Sequence, residues 1–309
     1  MTAFAAVDWG TSSLRIWLCD EAGAMLAERR SGEGMLSAGP DKFSEILERH
    51  LADMDAPADL PVMICGMAGA RQGWIEAPYV AVPAALSEIL SGAVRVPDAG
   101  RKILIVPGLA QRSADAPDVM RGEETQLAGI SALLASGSRL VCMPGTHSKW
   151  VETKDGTVAG FRTWLTGELF SILSKQSILR HSLGETPATA DAESPAFRDA
   201  CTDALNGHGD IGGALFGIRA AGLLHGLGPD DAAARLSGLL IGAEIASACR
   251  ALGSSGGTII LVASGAIGEL YVEAFRLAGR TIEPVDAEQA VRAGLIEAAR
   301  HHGMTKDLR

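Results

Sequence analysis

The chain opens with a short apolar burst, Phe4-Ala5-Ala6-Val7, that ends at Asp8, Trp9 and Gly10. Two more bursts follow at 14–19 and 24–27, divided by Glu21-Ala22-Gly23. Runs of this length, punctuated by glycine, predict three strands joined by tight turns. The pattern returns in the middle of the chain. Residues 139–143, 148–154 and 157–165 read as strands, with Pro144-Gly145 at the first break and the strong hairpin pair Asp155-Gly156 at the second. The remainder alternates between helical and strand periods. Residues 40–54 are amphipathic at helical spacing, and 61–69 and 102–108 are apolar strands ending in glycine turns. Residues 123–136 predict a helix with acids in its first turn, where they favour the helix dipole. Helical patterns occupy 166–179, 213–226 and 230–252; the last is Leu-rich and reads as core. A buried strand at 258–265 leads into another helix, and a final helix is expected from Asp286, whose spacing to Gln289 suits a capping box. Residues 183–195, polar and proline-containing, predict a loop or flap.

The two strand trios share more than rhythm. Both first turns read Gly-Thr-x-Ser, at 10–13 and 145–148, and each is followed by a basic residue, Arg15 or Lys149. A short motif recurs by chance more easily than a motif with a matching hairpin behind it, so the repeat predicts two related α/β domains. Such turns are usually just turns. Doubled, they suit a nucleotide triphosphate: glycine lets backbone N–H groups approach phosphate oxygens, and the hydroxyls add donors. Asp8, at a strand end, either caps its turn or holds Mg2+ through water. An acid placed after a buried apolar run favours the second role. The G-x-x-x-x-G-K-[ST] loop is absent, so phosphate has to be held in some other way.

Composition narrows the partners. The chain has 309 residues, 47% hydrophobic and 21% charged, enough for two domains with a substantial core. Its net charge of −10, with no Lys/Arg stripe, argues against nucleic acid. No apolar run reaches bilayer length, and the first residues lack a basic segment, so neither a membrane span nor a signal peptide is expected. Five widely spaced cysteines without a C-x-x-C pair predict buried free thiols in a reducing, cytoplasmic setting rather than a zinc site. The oligomeric state stays open, a homodimer included.

Four stretches carry a resemblance: VDWGTSSLRIW (7–17), CGMAGARQGW (65–74), DVMRGEETQ (118–126), and MPGTHSKWV with FRTWLTGELFSIL (143–151 and 161–173). The repeated strand, Gly-Thr turn and hairpin resemble the actin, Hsp70 and sugar-kinase superfamily. Within it, the four stretches in order resemble the 2-dehydro-3-deoxygalactonokinase family. The last third matches more loosely, through VASGAIGELY (262–271) and the terminal helix. The resemblance implies two actin-like (ribonuclease H-like) domains with mixed sheets flanking an ATP/substrate cleft. The first, 1–136 rejoined by 286–309, would be the substrate side; the second, 137–285, the nucleotide side. It also implies ATP- and Mg2+-dependent phosphorylation at the 6-hydroxyl of a 2-keto-3-deoxy sugar acid. A phosphohydrolase of the same superfamily and a non-enzymatic ATP-binding regulator are the alternatives.

The resemblance distributes roles over the chain. Asp8 would organise Mg2+. Gly10, Thr11, Ser12 and Ser13 would form the first phosphate turn, and Gly145, Thr146, His147, Ser148 and Lys149 the second, with His147 equally a surface residue and Lys149 equally an exposed hairpin lysine. The base would be an acid at the start of the helix before the second turn, Glu123 or Glu124. Glu124 is preferred, although related sugar kinases usually have Asp there. The substrate carboxylate calls for an arginine fork; Arg15, Arg71, Arg121 and Arg162 are the candidates, led by Arg71 and Arg162. Gly265 and Ala266 would let adenine approach the backbone. Trp74 and Trp164 either shape the sugar pocket or pack the core.

Overall fold

The computed structural model describes residues 1–39, 41–97, 99–184, 190–207, 211–252 and 257–305. The loop expected at 183–195 lies partly, at 185–189, outside the described residues. Contacts divide the chain into two compact units. One comprises Met1–Ser138, Thr153–Gly160 and Ala287–Arg309; the other comprises Arg139–Glu152 and Phe161–Asp286.

Among the described residues, ten strands precede the middle repeat: β1 Thr2–Trp9, β2 Leu14–Asp20, β3 Met25–Ser31, β4 Val62–Gly66, β5 Tyr79–Ala81, β6 Ala84–Ala85, β7 Val94–Arg95, β8 Ile103–Ile105, β9 Gly108–Gln111 and β10 Asp118–Met120. The main sheet of the first unit runs β3-β2-β1-β4-β8-β7. The β1–β2–β3 meander is antiparallel, whereas β1, β4 and β8 are parallel. Strands covered on both faces need apolar residues at every position. That is why Phe4–Val7 and all of β4 are buried without alternation. The edge strand β3 is exposed and carries Glu28, Arg29 and Arg30, charges that discourage edge pairing. Trp9 anchors the core against Phe43 at 4.7 Å and Trp74 at 6.3 Å between ring centroids, so Trp74 is a packing residue.

One helix crossing fixes the future site. Helix Glu123–Gly129 packs on helix Ala287–His301 with a glycine from each at the contact. A Cβ on Gly129 would lie 1.9 Å from the Ala290 carbonyl oxygen, and one on Gly294 1.8 Å from that of Thr125. Neither position tolerates a side chain without moving a backbone. The C-terminal helix therefore sets the position of Glu123 and Glu124.

The second unit is built on β11 Ser138–Met143, β12 Ser148–Lys154, β13 Thr157–Trp164, β14 Ile259–Ala263 and β15 Ile282–Asp286, in the order β15-β14-β11-β12-β13. Here β14 lies between β11 and β15 and is parallel to both. The hairpin tip Thr153–Gly160 groups with the first unit, because Thr157 and Val158 pair with Ala85 and Ala84 of β6. Trp164 packs edge-on against Trp150 at 6.2 Å, a core role again.

Helix Pro229–Ala251 is long and apolar enough to cross a membrane by length and composition, which a search for uninterrupted apolar runs misses. Yet 72% of its most apolar window is buried inside the protein. Gly238 and Gly242 let helix Pro195–Leu205 approach so closely that a Cβ would meet the Phe197 and Cys201 carbonyl oxygens at 2.4 and 2.6 Å. All five cysteines are free thiols, and four are buried.

Candidate active site

In the first unit the site grows from the end of β1. Register sets Asp8 opposite Arg15 of β2 and beside Cys65 of β4. Arg15 Nη1 stands 3.8 Å from Asp8 Oδ2 and 4.0 Å from Glu288 Oε2, so its charge is divided between two acids. The Cys65 thiol donates to Asp8 Oδ1 at 3.8 Å. Although 24% of the Asp8 side chain reaches solvent, burial raises its carboxyl above the ordinary range. Arg15 and the thiol oppose that shift, while Glu123 and Glu288 add to it.

Beyond Asp8 the chain turns sharply. Gly10 N–H donates to Ser13 O at 2.8 Å, which leaves Thr11, Ser12 and Ser13 exposed. This turn is backed by residues the sequence reading passed over. Met35 N–H donates to Gly10 O at 3.0 Å and Leu36 N–H to Thr11 O at 3.1 Å. A Cβ on Gly34 would lie 2.5 Å from backbone atoms of Ser12 and Ser13. Gly34 is the residue that lets a helix start press on the back of the turn.

The two glutamates reach the same region through glycines. Gly122, at φ 108°, lies against Gly66, at φ 85°. A Cβ on Gly122 would sit 3.6 Å from Gly66 Cα, and one on Gly66 would sit 3.5 Å from Asp8 Oδ1. Both positive φ values favour glycine. Glu124 accepts hydrogen bonds from Gly122 N–H at 2.7 Å and the Thr125 hydroxyl at 3.0 Å. It has no exposed surface, and burial together with the Glu123 charge pushes its carboxyl up to about 8. Glu123 is half-buried, accepts from Arg121 N–H at 3.1 Å, and its charge is felt at Asp8. Of the two carboxylates, that of Glu123 is the one with surface to offer.

Among the arginines, Arg15 is committed to Asp8 and Glu288. Arg121 donates from Nη2 to Ala77 O at 2.7 Å and stacks 4.4 Å above the Tyr79 ring, while its buried Nε and Nη1 have no hydrogen-bond partner among the described residues. Arg71 is exposed just beyond the 3-10 turn Met67–Gly69 that follows β4. Arg162 is exposed on β13 in the second unit.

Among the described residues no group of three or more His, Cys, Asp or Glu side chains could hold a metal ion. Mg2+ at a phosphate site needs no such cage, since one or two carboxylates, waters and the phosphates themselves complete its shell. Asp8 fits that part. It is a partly exposed carboxylate with acids around it and an arginine it must share.

The second unit repeats the arrangement of turn and backing. Gly145, Thr146 and His147 are exposed at the end of β11. Glu168 N–H donates to Thr146 O at 2.9 Å, and a Cβ on Gly167 would lie 2.5 Å from Gly145 O. Gly167 opens helix Thr166–Gln176 as Gly34 precedes helix Met35–Ala38. His147 Nε2 pairs with Glu168 at 2.6 Å. Two expectations change here. Ser148 is fully buried with its hydroxyl 3.0 Å from the Tyr271 hydroxyl, so it points into the core rather than at a phosphate. It shares a β12 face with buried Trp150, in a run from Ser148 to Val151 that is buried at every position. Lys149 is also buried rather than exposed on the hairpin, its Nζ donating to His147 O at 3.2 Å.

Beside this turn opens a cavity of about 240 Å3, mostly apolar, whose lining includes Gly145, Gly167, Phe170, Ile267 and Leu270. Its size, near the lower end for small-molecule sites, suits a heterocyclic ring rather than a whole triphosphate. Gly265, at φ 63°, and Ala266 are exposed where helix Gly265–Leu277 begins, directly before the lining residue Ile267. Gly265 itself lines a second, acidic pocket.

Comparison with known proteins bears on this arrangement. A family model described as 2-keto-3-deoxy-galactonokinase matches residues 8–298. A protein assigned as 2-dehydro-3-deoxygalactonokinase DgoK1 in Rhizobium meliloti (strain 1021) is 54% identical over 297 residues, 96% of each chain. The 2-dehydro-3-deoxygalactonokinase of Escherichia coli (strain K12) is 36% identical over 297 residues, covering 96% of this chain and 97% of its own. A crystal structure of a protein from Sinorhizobium meliloti, assigned the same activity, superposes with a TM-score of 0.91 at 54% identity over 96% of this chain and 98% of that one. The activator of 2-hydroxyisocaproyl-CoA dehydratase from Clostridium difficile, with bound ADPNP, shares the fold at 11% identity, with a TM-score of 0.52 over the whole of both chains. The expected α/β, actin-like class with mixed sheets is the one observed.

Proposed function

The chain belongs to the 2-keto-3-deoxy-galactonokinase family, and from that premise we propose that it transfers the γ-phosphoryl group of ATP to the 6-hydroxyl of 2-dehydro-3-deoxy-D-galactonate. The observation that carries this reading lies within the first unit. The exposed, backed turn at 10–13, the Asp8 carboxylate and the Glu123 helix start are brought together through Gly66 and Gly122.

Phosphoryl transfer demands positioning and charge stabilisation more than covalent help. In the first unit the backbone N–H groups and hydroxyls of Thr11, Ser12 and Ser13 serve as phosphate donors; in the second, the N–H groups of Gly145 and Thr146 and the Thr146 hydroxyl are suited to the same task. Asp8 would hold Mg2+ through water, and the ion would neutralise charge on the phosphates. Arg15 keeps Asp8 oriented from the neighbouring strand. Glu123 accepts the proton of the attacking hydroxyl late in the transfer. Glu124 is a positioning residue that braces the Gly122 turn. Arg71, exposed past the strand-end turn, reads the sugar-acid carboxylate. The apolar cavity beside Gly145 takes the base of the nucleotide.

A net charge of −10 without a basic stripe supports a small-molecule partner. The free thiols support a reducing compartment, the cytoplasm. Two-dimensional 1H–31P NMR of the product tests the chemistry. One phosphomonoester coupled to the C6 methylene protons is expected; coupling at another carbon would overturn the assigned acceptor.

A further inference from the structure

Helix Pro229–Ala251 aligns Ser237, Leu240, Ile241 and Glu244 at spacings of three and four, one face of the helix. The first three line the cavity beside the second turn. Glu244, 2% exposed, lies one layer behind, and both of its oxygens are engaged. Oε1 accepts from Trp150 Nε1–H at 2.8 Å. Oε2 accepts from the Tyr271 hydroxyl at 2.6 Å and from the Thr166 hydroxyl. Ser148 extends the chain, its hydroxyl 3.0 Å from that of Tyr271.

These donors come from three elements with one thing in common. Ser148 and Trp150 are on β12, immediately after the second turn. Thr166 opens the helix whose Gly167 backs Gly145 and Thr146. Tyr271 is on the helix that begins at Gly265, and both Thr166 and Tyr271 line the cavity. Burying a carboxylate is unfavourable, and an apolar group of the same shape often packs a core equally well. Such a network, fully satisfied, is better explained by the single arrangement it enforces. We propose that Glu244 is a positioning residue for the nucleotide, locking the second phosphate turn to the ring cavity at a fixed spacing. This rests on the reading that the cavity takes the base.

Three variants of the full chain separate the two claims, each examined for thermal unfolding, ADP affinity by calorimetry, and KM for ATP and for the sugar acid. Glu244→Gln keeps the volume but puts an NH2 group where an acceptor stood, facing donors. ADP affinity and the KM for ATP are expected to worsen by roughly tenfold or more while the sugar-acid KM stays within about twofold. Tyr271→Phe, which removes the link to Ser148, is expected to move the same two constants by less. Ile267→Trp, filling the cavity from a partly exposed position, is expected to weaken ADP binding outright.

A merely structural Glu244 would lower the melting temperature and the active fraction but leave ADP affinity unchanged in the folded protein. That result, beside an impaired Ile267→Trp, overturns the role of Glu244 and leaves the cavity reading standing. Unimpaired ADP binding by Ile267→Trp overturns the cavity reading and the inference with it. If Glu244→Gln does not fold, Tyr271→Phe decides: unaltered ADP affinity sinks the proposal.

Discussion

Asp8 sits where a strand that must be apolar meets a turn that must be polar. Its carboxyl is raised by burial and by two neighbouring acids, with a shared arginine in partial compensation. Removing its charge relieves that tension in the free protein, so Asp8→Asn is expected to melt no lower than wild type while kcat falls by about two orders of magnitude or more. Near-normal turnover in a folded variant would contradict the metal-organising role. The adjacent glutamates divide by exposure. Glu123→Gln is expected to lower kcat by about two to four orders of magnitude with little change in either KM; if Glu124→Gln alone is dead, the assignment is off by one residue. Glu124 makes a separate prediction about stability. Its carboxyl titrates at about 8 in the folded chain and near 4.5 ordinarily, so folding takes up a proton between those values. The stability it contributes is present in full below the lower value and lost as pH rises through the upper one. The melting temperature of Glu124→Gln relative to wild type is expected to climb between about pH 5 and about pH 9. A difference that stays flat would mean that Glu124 is ionised throughout.

At the scale of elements, the two backed turns are the recurring device. Each Gly-Thr turn leaves its Thr exposed while a glycine at a helix start presses on its back. Gly34 has an ordinary extended φ of −71°, so Gly34→Ala introduces a contact clash and no backbone strain. Gly167→Ala pushes on Gly145 O in the same way. Both are expected to raise the KM for ATP more than that for the sugar acid; unchanged nucleotide kinetics in both would remove the turns from phosphate binding. The turns were legible in the sequence because a strand-end acid followed by Gly-Thr is a local pattern. Their backing was not, because a glycine before a helix reads as an ordinary start, and the close approach depends on a partner two strands earlier. Ser148 misled for a related reason: its motif position suggested a donor, while its place on β12 buried it. Glu244 had a signal, a lone acid in an apolar helix face, but which donors surround it is decided only when β12 and two further helices meet.

Across the whole molecule, contacts divide the chain into two compact units, and its two larger sheets are mixed. Details set by distant segments were invisible from the pattern. The pairing of β6 with the hairpin tip draws residues 153–160 into the first unit. The helix crossing at Gly129 and Gly294, which joins the C-terminal helix to the glutamates, appears in the sequence as two isolated glycines. The separate residue roles converge on one reaction. Its most direct test is coupled ADP release by the purified full-length protein over a panel of 2-keto-3-deoxy sugar acids, with the corresponding sugars lacking the carboxylate as controls. The account predicts one ADP per sugar acid consumed, fastest with 2-dehydro-3-deoxy-D-galactonate, and negligible release with the neutral sugars or with ATP alone. ADP release at the full rate without any sugar acid would make the protein a phosphohydrolase and contradict the account.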